Sequence, residues 1–345
     1  MKTILNALLI VAATGLVVSQ PVQAQSITRA GTTAAPFLKI GVDARSNAMG
    51  QAMVSLANDP AGLFWNPATI AYTEKIQAVV SHYDYVADLY MEYDAVAIPI
   101  EGLGVLGLSV TYLGMPDIER TTVSLPGGTG EKVSASSLAV GATWASALTD
   151  RFAIGGSLKY IRETLWHSYA SSVAGDVGLT YTTLNDRFRL GMSISHFGPD
   201  MQMSGRDMRI QHDINPGHNG NNPSIIGFLA AEKFPLPVLF RVGVSSDLTS
   251  FITESKAVKW VVAADAVHPN DDYEHVNLGS EVTISDMVAL RAGYNRMFDP
   301  DEEGGLGLGI GFSYNLMGIG MRLDYANVDF GYLDRQNQFT LVLTF

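Results

Sequence analysis

The sequence predicts an all-β molecule: a closed, 14-stranded antiparallel transmembrane β-barrel preceded by an N-terminal plug of short helices. Three observations predict it. Apolar and polar residues alternate at period two from Lys75 to the end of the chain. Charged residues make up 16% of the chain, against about 25% in an ordinary soluble domain. The 34 glycines exceed the usual share of about 7% and fall partly inside strand-like runs, where glycine weakens a strand unless curvature or close approach requires it.

Residues 1–24 read as a cleaved secretory signal peptide: Lys2 is the basic start, Ile4 to Val18 the apolar run and Val22-Gln-Ala24 the small-residue cleavage site. No later segment has the unbroken apolar length of a membrane helix, so only a closed barrel would let the chain span a bilayer. The chain has no cysteine, which excludes a disulfide scaffold and a thiol nucleophile. Its net charge is −12, or −13 once Lys2 leaves with the leader, which argues against a nucleic-acid partner.

Residues 25–74 are not strand-like. Small-residue runs such as Ala44-Arg-Ser-Asn-Ala-Met-Gly50 are broken by Asn58-Asp-Pro-Ala-Gly62 and followed by Leu63-Phe-Trp-Asn-Pro-Ala68. Short helices of this kind bury too little to stand alone, so a plug packed against or inside a barrel is expected. Phe64, Trp65, Asn66 and Pro67 are its candidate gating residues. Asn66 before proline equally suits a purely structural turn.

Fourteen strands follow, over 75–86, 89–99, 103–113, 134–146, 151–163, 171–182, 187–197, 238–247, 257–267, 274–284, 286–297, 304–315, 318–328 and 337–345. In the twelfth, Leu306, Leu308, Ile310, Phe312 and Tyr314 oppose four glycines and Ser313. In the last, Phe339, Leu341, Leu343 and Phe345 oppose Gln338, Thr340, Val342 and Thr344, a greasy face against a polar one. A strand of a soluble sandwich could show the same alternation in isolation.

Connection lengths check the count, because long external loops must alternate with short periplasmic turns. Residues 100–102, 147–150, 183–186, 285 and 315–318 are short. Loops 114–133, 164–170, 198–237, 268–273, 298–303 and 329–336 fall on the external side. Parity holds only if 198–237 is one external excursion, although Pro223 to Ala231 is apolar enough to suggest a strand. Segment 248–256 is long for its periplasmic place.

With the oily face outward, Lys159, Asp176, Arg189, Arg241, Asp265, Glu281, Arg291, Arg322 and Asp324 face inward. Mixed signs favour mutual pairing that stiffens the wall over an ion conduit. Catalysis has little support, since no Gly-x-Ser-x-Gly elbow occurs and the seven histidines form no paired zinc motif on a plausible helix. The acidic loops Asp299-Pro-Asp-Glu-Glu303 and His268-Pro-Asn-Asp-Asp272 match no known calcium-loop spacing and read as solvated loops. No cofactor or metal is expected.

Ala44-Arg-Ser-Asn-Ala-Met-Gly50, Asn58-Asp59 and Trp65-Asn-Pro-Ala68 resemble the N-terminal region of the PorV/PorQ family of outer-membrane proteins. The Asn-Pro-Ala element is shared with the wider FadL-like barrels. Pro235-Leu-Pro237, Phe240-Arg241, Asp265 with His268-Pro269, Asn277-Leu-Gly-Ser-Glu281, Arg291-Ala-Gly-Tyr294 and Asp324-Tyr325 extend the resemblance over nearly the whole mature chain. It implies a fourteen-stranded FadL-like barrel in the outer membrane of Bacteroidota-type bacteria. PorV-like members take part in type IX secretion, receiving cargo with a folded C-terminal signal domain and passing it to the attachment machinery, although other members have no assigned task. Loops 114–133 and 198–237 are then the cargo surface, with Ile225, Ile226, Phe228 and Leu229 as contacts, unless these residues only pack over the barrel mouth. A FadL-type channel for hydrophobic small molecules is the alternative, and a structural barrel anchoring an outer-membrane assembly is a third.

Overall fold

The computed structural model describes residues 29–183, 187–218, 220, 222, 224–249, 257–300, 304–333 and 335–345. The expected signal peptide at 1–24 lies outside them, as do most of 248–256, three residues of the turn 183–186 and the acidic end of loop 298–303.

Period-two patterning resolves into fourteen long strands: β1 Gln77–Asp84, β2 Tyr90–Ile100, β3 Gly104–Gly114, β4 Ala135–Thr149, β5 Phe152–Leu165, β6 Ser168–Thr182, β7 Phe188–Phe197, β8 Leu239–Asp247, β9 Val258–Pro269, β10 His275–Ile284, β11 Val288–Met297, β12 Leu306–Leu316, β13 Ile319–Asp329 and β14 Arg335–Thr344. Neighbours in sequence pair antiparallel, and β14 pairs back onto β1, from Gln77↔Thr344 to Tyr83↔Gln338, so the sheet closes on itself. Phe345 N donates to Ile76 O, which puts both ends of the wall at one rim.

The outward face is greasy as the alternation requires. On β12, Leu306, Leu308, Ile310, Phe312 and Tyr314 are all exposed, whereas the glycines between them point into the bore. On β14, Phe339 faces out and Gln338, Thr340 and Val342 are buried. A solvent-facing ring of large apolar side chains on every strand excludes a soluble sandwich and fits lipid.

Excursion 198–237 does not cross the wall. Its inner part pairs Met201–Gln202 with Lys233–Phe234, and its tip pairs Arg209–His212 with Ile225–Phe228. Ser204–Gly205 adds a two-residue strand to the outer end of β6. The apolar run around Ile225 is therefore a strand, but of an external ribbon. The structure corrects one connection: the expected loop 164–170 is only the turn Trp166-His167, because β5 and β6 stay paired out to Leu165↔Ser168. A bulge interrupts β6–β7 between Gly175 and Val177, and His196 adopts φ 64° there, with its N–H donated to Asp176 Oδ1 at 2.8 Å.

The plug fills the bore. It consists of a 3₁₀ turn Pro36–Lys39, helix α1 Ala44–Ala48, helix α2 Gly62–Trp65 and a 3₁₀ turn Pro67–Tyr72. α1 is capped by Asp43, whose carboxylate accepts from Ser46 N at 3.0 Å. A belt of inward glycines makes room for these segments. A Cβ on Gly307 would stand 2.2 Å from Asn47 O, one on Gly191 2.3 Å from Val54 O, and one on Gly155 2.5 Å from the Pro67 carbonyl carbon. Glycine richness in these strands is thus the footprint of the plug.

Candidate functional site

The segment Phe64-Trp65-Asn66-Pro67 is buried in the bore, with Asn66 and Pro67 against the wall at Gly155 and Gly178. Asn66 ends α2 and opens the turn that proline continues, and its Oδ1 accepts from Ala68 N at 3.1 Å. Its Nδ2 donates to Val54 O at 2.8 Å within the plug and to Leu179 O at 3.0 Å on β6. One amide therefore joins two parts of the plug to the wall. Phe64 meets Trp65 edge-on at 4.9 Å, Lys159 Nζ stands 5.9 Å over the Phe64 ring, and the Arg241 guanidinium 5.4 Å over Trp65.

Four of the nine inward charges predicted from sequence join two plug residues in one ring. Arg45 of α1 donates to both oxygens of Glu281, at 3.0 and 2.9 Å. Arg291 donates to Glu281 and, at 2.7 Å, to Asp324 Oδ1. Arg322 bonds Asp324 Oδ2 at 2.7 Å and reaches back to Asp59 in the plug. Asp59 lies 3.6 Å from Arg45, which closes the circuit. Three guanidiniums alternate with three carboxylates, and forked geometry lets each arginine hold two partners. Burial alone would raise the Asp59 pKa, but Arg322 and Arg45 outweigh it and hold it below the ordinary carboxylate range. Burial and the Asp59 charge push the neighbouring Asp43 up instead.

The other five predicted charges lie elsewhere. Lys159 and Asp176 pair at 2.5 Å across β5 and β6, beside the buried His196. Asp265 accepts from Val54 N at 2.8 Å, so it holds the plug backbone. Arg241 donates to Ser195 Oγ at 3.4 Å, and no ion pair joins it to Asp265 among the described residues. Arg189 is half-buried near the periplasmic end of β7, within electrostatic reach of Tyr72. Arg45 and Asp59 were not among the predicted charges. A lone arginine inside Ala44-Arg-Ser-Asn-Ala48 was the available signal, since burying such a helix demands a carboxylate partner.

Among the cavities beside the plug, two border the charge ring or the segment before it. The outer one, about 470 Å³, lies between Phe37, Ile40, Tyr83, Leu113, Val267 and Val328, with Arg241, Asp272 and Arg296 also reaching it. Lys39–Asp271 at 2.8 Å and Arg296–Asp272 at 2.8 Å tie its rim to the plug and the external loops. The inner one, about 590 Å³, is bordered by Asn58, Asp59, Gln77, Tyr314, Arg322 and Thr344. In the external ribbon, Ile225, Ile226, Phe228 and Leu229 are 38%, 54%, 66% and 55% exposed. Loops 114–133 and 198–237 converge on the β5–β6 turn, where Arg120 lies over Trp166, and His167 meets Asp207.

No group of histidines and carboxylates suited to a metal occurs among the described residues. In the comparisons, the family described as type IX secretion system protein PorV matches residues 22–217, more than half of the chain. No curated protein sequence matches it. Solved structures of the same fold include a FadL homologue of Pseudomonas aeruginosa, with 13% identity over 88% of this chain and 98% of that one and a TM-score of 0.52. The Pseudomonas putida toluene transporter TodX shares 13% identity over 88% of this chain and 97% of its own, with a TM-score of 0.54. The Ralstonia pickettii toluene transporter TbuX gives 13%, 88%, 97% and 0.52. A plugged, greasy-walled, fourteen-stranded barrel, together with that family match, makes this chain a member of the PorV family: an exported outer-membrane barrel.

Proposed function

We propose that the chain is a FadL-type transport barrel that takes a hydrophobic small molecule from the outside into the cavity above the plug. The observation that carries this is the outer cavity itself. Its volume of about 470 Å³ falls within the range of small-molecule sites, about 300–1,000 Å³. Its lining combines aromatic and aliphatic side chains such as Phe37, Ile40, Tyr83, Leu113 and Phe330 with polar ones, among them Asn47, Gln51, Arg241, Asp272 and Arg296. TodX and TbuX are named as toluene transporters, but a shared fold does not fix a substrate. Toluene and dodecanoic acid are therefore the probes. Purified barrel is expected to bind one of them saturably, and Ile40→Trp, which fills the cavity, is expected to weaken that binding about tenfold, or 1.4 kcal/mol. Unchanged affinity in the filled variant overturns the reading.

The external ribbon favours a second reading, in which secreted cargo with a C-terminal signal domain, or another secretion component, docks on Ile225, Ile226, Phe228 and Leu229. Four large apolar side chains standing in water on an exported loop are a liability without a partner. In this case Ile226→Asp with Phe228→Asp is expected to abolish co-purification with a signal-domain cargo while probe binding in the bore persists. A barrel that only anchors an assembly would show neither behaviour. None of these readings requires a cofactor, a metal or nucleic acid.

A further inference from the structure

The outward face of β5 reads Phe152, Ile154, Gly156, Leu158, Tyr160 and Arg162, so its greasy stripe ends on an aromatic ring and then on a guanidinium. Arg162 stands ten residues beyond Phe152. At about 3.4 Å per residue and a tilt of about 40°, that lifts it about 25 Å, the height of the apolar band of such a wall. The row beneath it, Val140, Tyr160 and Val173, is exposed and faces lipid. Its own neighbours across the strands are Leu138 and Ser171, and its guanidinium lies 4.6 Å over the Tyr169 ring. Among the described residues no carboxylate comes within ion-pair distance of it; the adjacent Glu163 turns inward and accepts from Ala35 N at 3.1 Å. A second such guanidinium comes to the same end of the wall. Ser204 pairs with Tyr169 and Gly205 with Ser168, which carries Arg206 to the β5–β6 turn, where its Nη2 lies 2.7 Å from both ring nitrogens of His167. By contrast Arg120, over Trp166, is held by Glu131 at 2.7 Å.

We propose that Arg162 and Arg206, backed by Tyr169 and His167, form a rim site for the phosphate of an anionic glycolipid in the outer leaflet. It is independent of the transport and docking readings above. A guanidinium at the upper edge of the apolar band, with no carboxylate of the chain beside it, takes its counter-charge from the membrane, and head-group phosphates stand at that height. The guanidinium fork matches phosphate oxygens, and the Tyr169 ring covers one face of the Arg162 plane while leaving its edge donors open. The site is local and not a product of overall charge, since the chain carries −12. On the outward face of β1 and β2 the charges are instead Asp84, Glu92 and Asp94, with His82 3.6 Å from Glu92. An anionic head group is therefore repelled from that sector and drawn to the outer end of β5 and β6. The outward arginine of β14 offers no equivalent site, because Arg335 donates to Asn327 Oδ1 at 3.0 Å and lies 4.0 Å from Asp329.

Titration of the full-length barrel in dodecyl maltoside with diphosphoryl lipid A, read by native mass spectrometry, tests this. The parent barrel is expected to retain the lipid and to hold an analogue lacking both phosphates at least about tenfold more weakly. Arg162→Gln and Arg206→Gln are each expected to weaken diphosphoryl lipid A about fivefold, the worth of one basic residue near a charged membrane surface. Arg162→Lys keeps the charge without the fork and is expected to fall between parent and Arg162→Gln. Arg335→Gln, on the same outward face but already partnered, is expected to bind as the parent does. Heat-shifted migration in detergent gels reports that each variant is folded, and Arg206→Gln reads the site from the external excursion without touching the wall. Equal binding of the two lipids overturns the proposal, as does unchanged affinity in the two glutamine variants at Arg162 and Arg206. An equal loss in Arg335→Gln overturns it by showing that any outward arginine serves. Displacement of lipid A by an equal concentration of inorganic phosphate overturns the assignment to a membrane lipid.

Discussion

Asp324→Ala is expected to cost about 3–5 kcal/mol of barrel stability, the range for stranding a buried partner of an ion pair. Asp324 is fully buried and receives Arg291 on one oxygen and Arg322 on the other, both at 2.7 Å. Without it, three guanidiniums face two carboxylates inside the bore, and water has no ready access to Arg291, whose side chain is 2% exposed. The paired change Arg291→Gln/Asp324→Asn removes one charge of each sign and is expected to cost much less. Urea unfolding in detergent, followed by tryptophan fluorescence, compares the two. Equal losses would show that the charge balance of the ring is irrelevant and that only side-chain packing counts.

Gly178→Val is the second large effect, expected to reach about 2–5 kcal/mol by combining overpacking with lost buried hydrogen bonds. A Cβ at Gly178 would stand 1.9 Å from Asn66 Oδ1 and 2.9 Å from Pro67 Cδ. Both atoms belong to the most tightly held part of the plug, so neither yields without breaking the Asn66 bonds to Val54 O and Leu179 O. The strand itself accepts valine readily, since β-branched residues suit a pleated wall. The barrel is therefore expected to close while the plug becomes sensitive to protease near Leu63–Tyr72. Gly127→Ala, in an external loop with no atom within 4 Å of the new carbon, is expected to be neutral. A protease-resistant plug in Gly178→Val would refute the close-approach role of the glycine belt.

Some of this was legible in the order of residues. Period two has only two faces, so Leu306 to Tyr314 on one side of β12 and glycine on the other already separate lipid from bore. Parity of loops then excluded the run around Ile225 as a spanning strand, and the structure places it in the external ribbon. The inward direction of Glu281, Arg291, Arg322 and Asp324 followed from the same alternation. Their partners did not, because Arg45 and Glu281 are separated by 236 residues and no local rule joins them.

The sequence by itself determined the closed greasy wall, the strand number and the presence of a plug, because alternation, glycine content and loop lengths are properties of neighbouring residues along one chain. Only the tertiary structure decided that Asn66 binds both plug and wall, that Arg45 and Asp59 complete a neutral ring, and that the Ile225 ribbon stands in solvent. Those facts depend on which distant segments the closing sheet brings within hydrogen-bond distance, and closure sets that distance in space, where spacing along the chain has no say.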